Sequence, residues 1–376
     1  MEVLIATGKE LERRGHSVDV VSLDAPNSAW LKDFPLKIYP LGPATKRYAY
    51  TANLGPWLDT NLSNYSLVVL HGLWNYSSVG SWLRLRKAEI PYLIFAHGML
   101  DPWFRAAYPI KHLWKQLYWT ALEGRVLSGA AAVLFTAEDE RRLARGSFRG
   151  HKYRERVVPL GISDLNSPAE EQILAFRSSF PHLSSRRYVL FLSRIHPKKG
   201  LDLLLFAFAR LSMDFPDIDL VIAGPDQVGW KAQLERQSEE LGITDRIHWV
   251  GMLSGATKFG AFRCAEAFVL PSHQENFGIV IAEAMACGVP VLITNKINIW
   301  REVAETGGGL VSNDIESDIF EMLKKYLNMN HSERERMRFL ARSGFSECFN
   351  VEITAVNLID VCNAAIRNDV GQTSQL

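Results

Sequence analysis

The feature that most constrains this chain is an alternation of short apolar runs with amphipathic stretches of helical length, which occurs in two successive series. Runs rich in Val, Ile, Leu and Phe that are separated by helices are typical of parallel strands buried on both faces of a sheet. The predicted strands are 16–23, 67–70, 92–96, 131–135 and 157–160 in the first series, and 188–192, 219–223, 247–250, 267–271 and 289–293 in the second. We therefore predict an α/β fold with two doubly wound domains, in which ligands bind at the carboxyl ends of the strands.

The length of 376 residues agrees with two domains. We predict a first domain over 1–162, a second over 163–350, a helix over 351–367 and a disordered tail over 368–376. After Gly309 the pattern predicts helices only, and the last of these has the option of packing back on the first domain. The tail is polar, and polar chain ends are poorly ordered unless other parts of the fold hold them.

The composition excludes several classes of protein. With 47% hydrophobic and 22% charged residues and a mean hydropathy of -0.04, the chain is neither disordered nor a coiled coil. No apolar run reaches the roughly 18 to 20 residues that cross a bilayer, and the N-terminus lacks a signal-peptide pattern, so we expect a cytoplasmic protein. The cysteines have no CxxC spacing, which argues against zinc and redox chemistry.

The charge is unevenly distributed. Residues 1–160 contain 21 Lys and Arg against 14 Asp and Glu, and the remainder contains 21 against 27, so the two parts carry +7 and -6. Because no nucleic-acid-binding motif accompanies this imbalance, we expect no nucleic-acid partner. The segment 103–119 mixes aromatic residues with cations. This mixture suits a peripheral contact with the inner face of the plasma membrane, or the edge of an aromatic core with its cations directed outward, and both interpretations stay open.

The most informative stretch joins the fourth and fifth predicted strands of the second series. Gly278 opens a helix there, and Gly288 closes it before the next strand. The N–H groups and positive dipole end of a helix start attract phosphate, and Gly278 has no side chain to block its approach. Glu275, before the helix, and Glu283, within it, can accept hydrogen bonds from hydroxyl groups. A sugar on one side of a phosphate and a ribose on the other would fit this pattern.

A basic loop follows the first strand of the second series. Arg194 and Lys199, which stand five residues apart in it, can hold a diphosphate and offset the negative charge that develops as a diphosphate departs. Gly224 and Gly251 end the next two strands, on the same edge of the sheet. Fixed cations can replace a divalent metal, and the Asp-x-Asp at 217–219 reads as a turn before a strand. We therefore predict no metal and no cofactor.

Two strands of the first series also end in polar residues. His97 and Gly98 follow the third predicted strand, with Asp101 shortly after them, and His71 follows the second. Because parallel strands end at one edge of a sheet, these residues are expected to face a ligand crevice. An isolated histidine in such a place is as often a structural residue as a functional one.

These patterns together resemble the family-4 retaining glycosyltransferases of the GT-B fold. The resemblance rests on Glu-x7-Glu at 275–283, on Arg-x4-Lys-Gly at 194–200, and on His-Gly-Met-Leu-Asp-Pro-Trp at 97–103, a variant seen among bacterial exopolysaccharide enzymes of this family. It implies two Rossmann-like domains, the acceptor side first and the nucleotide-sugar side second. It also implies sugar transfer, with retention, from a nucleotide sugar to a hydroxyl of a glycan or lipid-linked acceptor, in exopolysaccharide or cell-surface glycan synthesis.

The resemblance further implies roles for single residues. The implied contacts are Arg194 and Lys199 to the diphosphate, Glu275 and His97 to the donor sugar, Glu283 to the ribose, the backbone of Asn276, Phe277 and Gly278 to phosphates and sugar, Gly224 and Gly251 to the nucleotide, and, more weakly, His71, Gly98 and Asp101 to the acceptor. Of these, Glu275, Arg194, Lys199 and His97 are the expected catalytic residues.

The start of the chain matches the first helix of that family. A strand and a glycine-rich loop normally precede this helix, so the resemblance implies an N-terminally truncated sequence that is poorly stable and weakly active or inactive as written. The alternative is that another segment or a partner chain takes the place of the missing strand. Two other functions stay open: another enzyme of this architecture, such as a nucleotide-sugar epimerase or a phosphorylase, and a non-catalytic nucleotide-sugar-binding protein. A dinucleotide dehydrogenase is disfavoured because no GxGxxG follows a predicted strand.

Overall fold

The computed structural model describes residues 1–165 and 167–367, so the predicted tail over 368–376 lies outside the described residues. The chain divides into two compact units. The first unit is Met1–Gly161 together with the helix that follows Asn350, and the second unit is Ile162–Asn350. Strands within each unit pair in parallel and alternate with helices. The predicted α/β fold class is confirmed.

Each predicted strand overlaps an observed one, and two further strands, β2 and β12, are present. The strands are β1 Asp19–Ser22, β2 Lys37–Pro40, β3 Val68–His71, β4 Tyr92–Phe95, β5 Ala132–Phe135, β6 Glu155–Val157, β7 Arg187–Leu192, β8 Ile218–Ala223, β9 Ile247–Gly251, β10 Ala267–Leu270, β11 Val291–Thr294 and β12 Gly309–Ser312. The helices are α1 Glu2–Arg13, α2 Leu54–Asn61, α3 Tyr76–Ala88, α4 Trp103–Ala107, α5 Pro109–Tyr118, α6 Gly124–Gly129, α7 Glu138–Ala144, α8 Ala169–Ser179, α9 Leu201–Asp214, α10 Lys231–Glu240, α11 Gly255–Cys264, α12 Ile279–Ala286, α13 Trp300–Thr306, α14 Glu316–Leu327, α15 His331–Gly344 and α16 Val351–Ile366. A π-helical turn, Trp119–Glu123, joins α5 to α6.

The first unit is built on the four-stranded sheet β3-β4-β5-β6, beside which β1 and β2 form a separate parallel pair. Successive residues of β4 enter opposite cores: Ile94 packs in one apolar cluster, and Leu93 and Phe95 pack in another. Leu358 of α16 belongs to the second cluster, and α16 also contacts α1. The last helix therefore covers one face of this sheet, and both faces are buried, as an unbroken apolar strand requires.

The second unit contains a six-stranded parallel sheet in the order β12-β11-β10-β7-β8-β9. Counted within this unit, the chain runs outward from β7 through β8 to β9, then returns to β10 on the other side of β7 and runs outward to β12. This is the doubly wound order, and its direction reverses between β7 and β10. Ligands of such sheets bind at the carboxyl ends of the two strands that flank the reversal.

The prediction that only helices follow Gly309 is wrong, because residues Gly309–Ser312 form β12 beside β11. The run is short and half-buried, and the glycines before it suggest a loop. Gly309 is required by the pairing itself, since a Cβ atom at this position would lie 2.5 Å from the carbonyl oxygen of Val291. Within the part of the chain that the structure describes, no helix is both long and apolar enough to cross a membrane.

Candidate active site

Two loops meet where the sheet of the second unit reverses its direction. One follows β7 and contains Arg194 and a 3-10 turn, Pro197–Lys199, before α9 begins. The other follows β10 and leads to Gly278, the N-cap of α12. The N–H of His273 in the second loop donates to the carbonyl of Lys198 in the first, at 2.9 Å. The fold thus holds the two predicted phosphate-binding loops side by side.

Lys199 and Glu275 are brought into direct contact by these loops. The Nζ atom of Lys199, a residue only 7% exposed, forms an ion pair with Oε2 of Glu275. The backbone of Glu275 is fixed on both sides, because its N–H donates to Lys296 at 3.1 Å and its carbonyl accepts from the N–H of Asn298 at 3.1 Å. A cation and a carboxylate are therefore positioned together at the edge of the sheet where ligands bind.

The start of α12 has the geometry of an anion site. Gly278 lies in the left-handed region at φ 69°, and a Cβ atom there would be 3.3 Å from Cγ of Glu275 and 2.9 Å from Cδ1 of Ile281. Glycine keeps this helix start open, so that a phosphate can approach the N–H groups of the first turn. The side chains of the neighbouring residues are occupied within the fold: Asn276 accepts a hydrogen bond from Asn298 at 3.0 Å, and Phe277 packs against Phe349.

Glu283 lies on the same helix and is buried, at 7% exposure. Its Oε1 atom accepts a hydrogen bond from Nζ of Lys258, on α11, at 2.6 Å. Sequence reasoning missed Lys258, since nothing in its surroundings distinguishes it from a solvated lysine on a helix surface. The second unit therefore contains two Lys–Glu pairs at this edge of the sheet, one for each of the predicted carboxylates.

Arg194 and the two strand-end glycines complete the predicted set in the second unit. Arg194 is exposed, and its Nη1 atom donates to Gln227 at 2.9 Å. Gly224, at φ 136°, is required by packing, because a Cβ atom would lie 1.8 Å from the carbonyl oxygen of Ser193. Its N–H donates to the carbonyl of Gly251 at 2.8 Å, which joins the ends of β8 and β9. Both glycines shape this edge of the sheet.

In the first unit, His71 and His97 end the neighbouring strands β3 and β4. Nδ1 of His71 and Nε2 of His97 are 3.0 Å apart, and the two rings are nearly parallel, at 16°. His97 has φ 48°, a left-handed conformation that is rare outside glycine, and Gly98 follows it at φ 72°. Loss of hydration lowers the pKa of His97 to about 4, so the ring is neutral near pH 7.

Two buried glutamates, which sequence reasoning also missed, lie beneath these strand ends. Oε1 of Glu140, on α7, accepts from the N–H of Gly98 at 2.5 Å. Glu123, in the π-helical turn, accepts from the hydroxyl of Ser78 at 3.2 Å and from the backbone N–H of Trp74, in the loop after β3. For Glu140, the only signal in the sequence is the run of acidic residues in the first turn of α7, a pattern that ordinarily indicates a solvated helix start.

Asp101 and the Asp-x-Asp motif have local roles. Oδ1 of Asp101 accepts from the N–H of Trp103 at 2.7 Å, at the start of α4. The turn before the strand is observed at Asp217, and Asp219, the first residue of the predicted strand 219–223, is fully buried within β8. Burial alone would raise its pKa, but hydrogen bonds from Arg186, Arg246 and His248 lower it to about 2. Among the described residues, no group of His, Cys, Asp and Glu is arranged to hold a metal ion.

Two family models match the chain, and both describe glycosyltransferases. Residues 6–161 match the glycosyl transferase 4-like domain, and residues 173–343 match glycosyl transferases group 1. Together these matches cover most of the chain, which belongs to the family-4 type of GT-B glycosyltransferases, as the sequence motifs predicted.

Individual relatives agree with this assignment. The chain is 29% identical over 368 residues to D-inositol 3-phosphate glycosyltransferase of Mycolicibacterium smegmatis, with 93% of this chain and 83% of the relative covered. It is 30% identical over 236 residues to the protein of the same name from Geodermatophilus obscurus, with 61% of this chain covered but only 52% of the relative. Among solved structures, HepE of Anabaena in complex with UDP-glucose has a similar fold, with a TM-score of 0.73, 16% identity, and 96% and 95% of the two chains covered.

Proposed function

We propose that this glycosyltransferase takes a sugar from a nucleotide-sugar donor and transfers it, with retention, to a hydroxyl group. The observation that carries the proposal is the juxtaposition of Lys199, Glu275 and the open helix start at Gly278, where the sheet of the second unit reverses. Cation, carboxylate and free N–H groups match a diphosphate flanked by hydroxyl groups. The complex of HepE with UDP-glucose supports a uridine diphosphate sugar as the first donor to test.

The proposed roles follow from the chemistry of the leaving group. As the glycosidic bond breaks, negative charge grows on the nucleoside diphosphate, and Arg194, Lys199 and the N–H groups at Gly278 stabilise it more than they stabilise the intact donor. Glu275 accepts hydrogen bonds from the sugar hydroxyls, and Glu283 accepts them from the ribose. In the free protein these two carboxylates accept hydrogen bonds from Lys199 and Lys258, which hold them in place.

Retention is proposed without a protein nucleophile. The acceptor hydroxyl attacks from the face that the diphosphate leaves, and an oxygen of the departing diphosphate takes the acceptor proton. The new glycosidic bond forms at the anomeric carbon as the bond to the diphosphate breaks. His97, whose ring is neutral, takes the role that the family resemblance implies, which is contact with the transferred sugar.

The test is an assay with UDP-glucose and two acceptor classes, a lipid-linked glycan and D-inositol 3-phosphate. We expect release of UDP that depends on one acceptor, and an α-linked product by NMR, since the donor is α-linked. Glu275→Ala should abolish the reaction, and Glu239→Ala, an exposed control on α10, should leave it unchanged. Isomerisation of donor alone would favour an epimerase. Binding of the donor without transfer or hydrolysis would favour a binding protein, and a β-linked product would reject retention.

A membrane contact of the first unit is proposed from α5. Four of its apolar side chains are exposed and recur at the spacing that places them on one side of a helix: Ile110 at 76%, Leu113 at 63%, Trp114 at 68% and Leu117 at 57%. The interpretation of 103–119 as the edge of a core is wrong for these four. Exposed cations, Arg105 and Lys111, lie in the same segment. An anionic lipid surface fits this combination, since it accepts apolar side chains and attracts basic ones.

Vesicle binding tests this surface. The full chain should co-sediment with vesicles that contain phosphatidylglycerol and less with vesicles of phosphatidylcholine alone, and the difference should shrink as salt is added. Leu113→Ser with Trp114→Ser should abolish binding, whereas Leu174→Ser, which alters an equally exposed leucine on α8, should not. Unchanged binding by the double variant would reject the surface. Self-association that the double variant loses would assign this face to a second copy of the chain.

A further inference from the structure

We infer that Glu140 is a positioning residue for sugar transfer, because it fixes the loop that carries His97. The inference rests on the proposed role of His97. Glu140 projects from α7 and is 4% exposed. Its Oε1 atom accepts from the N–H of Gly98 at 2.5 Å, and its Oε2 atom accepts from Thr136, from the N–H at 2.6 Å and from the hydroxyl at 2.7 Å. One carboxylate thus ties the end of β4 to the end of β5.

The chemistry of this contact requires a carboxylate. The groups that reach the two oxygens of Glu140 from Gly98 and from the backbone of Thr136 are N–H donors, which cannot turn around to accept. A glutamine of the same shape would still accept one of these hydrogen bonds through its carbonyl oxygen. Its NH2 group would face the other N–H, which would then have no acceptor on this side chain. Charge-assisted hydrogen bonds to a buried carboxylate are also shorter and stronger than neutral ones.

The loop that Glu140 holds is one that the chain does not favour by itself. His97 and Gly98 are consecutive residues with φ of 48° and 72°, and a left-handed histidine persists only where its surroundings impose it. The Gly98 N–H that Glu140 binds immediately follows His97. When this hydrogen bond is lost, the His97 backbone is free to return to a common conformation, which moves the imidazole away from His71 and Phe95.

The test compares wild type, Glu140→Gln, His97→Ala and the double variant. We expect Glu140→Gln to lower kcat about tenfold or more while KM for the donor and Kd for UDP stay within about twofold. If Glu140 acts through His97, the double variant is no slower than His97→Ala alone. A double variant that is slower by the product of the two effects would overturn the inference, as would wild-type kcat in Glu140→Gln.

The controls separate positioning from folding and from the role of His97. Glu138→Gln changes a neighbouring glutamate that pairs with Arg141 at the surface, and it should leave kcat unchanged. If Glu140→Gln does not fold, Glu140→Asp, which withdraws the carboxylate by one methylene, should lower kcat in the same direction, and wild-type kcat in the folded Asp variant would overturn the inference. Wild-type kcat in His97→Ala would reject the proposed role of His97, whereas a slow His97→Ala beside a fast Glu140→Gln would reject the role of Glu140 alone.

Discussion

The two units use the same structural position, the carboxyl ends of parallel strands, for different chemistry. In the second unit these ends carry charged side chains, and Lys199–Glu275 and Lys258–Glu283 are ion pairs. In the first unit they carry His71 and His97, whose rings are hydrogen-bonded to each other, and two glutamates, Glu123 and Glu140, are buried below them. In the proposed function, the second unit therefore binds the charged part of the substrate, while the first unit contributes neutral polar groups whose effect depends on their placement.

The largest effect that separates the roles of the two units is expected when one charge is removed from the second unit. Lys199→Ala should lower kcat/KM by about 10² to 10³ and weaken binding of UDP, because the lost cation faces a diphosphate whose charge rises in the transition state. His97→Ala should lower kcat with UDP affinity unchanged. Isothermal titration with UDP and initial rates with the donor measure both.

Lys325→Ala, an exposed lysine on α14, is the matched control for Lys199→Ala. Lys199→Ala should also lower the free energy of unfolding, by about 1 to 3 kcal/mol, because Glu275 loses its partner and the buried stem of Lys199 loses its packing. Equal UDP affinity in wild type and Lys199→Ala would contradict the division of labour between the units, and so would loss of UDP affinity in His97→Ala.

The distance along the chain between contacting residues explains which site residues could be predicted from the sequence. Arg194 and Lys199 share one loop, and Glu275 and Glu283 share one loop and helix, so the spacing along the chain reflects the spacing in the site. The strands were predictable because buried parallel strands are continuous apolar runs. By contrast, Glu140 and Gly98 are 42 residues apart along the chain, and Lys258 and Glu283 are 25 apart. No local sequence pattern therefore predicts either contact.

Prediction from sequence failed where tertiary contacts decided the outcome. β12 is too short and too close to glycines to be recognised, and it forms because β11 offers it an edge. Asp219 was predicted to begin a strand, but its three partners, Arg186, Arg246 and His248, come from other parts of the chain and could not be predicted from the local pattern. The exposed face of α5 was equally ambiguous, since an aromatic and basic pattern does not say which side the rest of the fold covers.

The pH dependence of transfer tests whether the ring of His97 is neutral in the working range. A hydrated histidine would gain its proton near its ordinary pKa of about 6.5, and activity would begin to fall there. Because the pKa of His97 in the free protein is lowered to about 4, kcat/KM should stay level from pH 8 to about 5.5 and decline only below that. A pH profile of kcat/KM measures this. A decline centred near 6.5 that disappears in His97→Ala would show that the ring is protonated in the working range.

The last expected effect concerns Glu123 and is one of stability rather than of activity. Burial is the main cause that raises its pKa to about 7, and among the described residues its Oε1 atom has no hydrogen-bond partner. Between the ordinary carboxyl pKa and 7, the folded chain binds more protons at Glu123 than the unfolded chain does. The contribution of this group to the free energy of unfolding is therefore complete at low pH and is lost as pH rises through 7. Glu123→Gln removes this loss and can still accept from Ser78 and Trp74. We therefore expect the variant to gain up to about 3 kcal/mol over wild type at pH 8 and much less at pH 5, measured by urea unfolding. An equal difference at both values of pH would mean that Glu123 is ionised in the folded chain throughout.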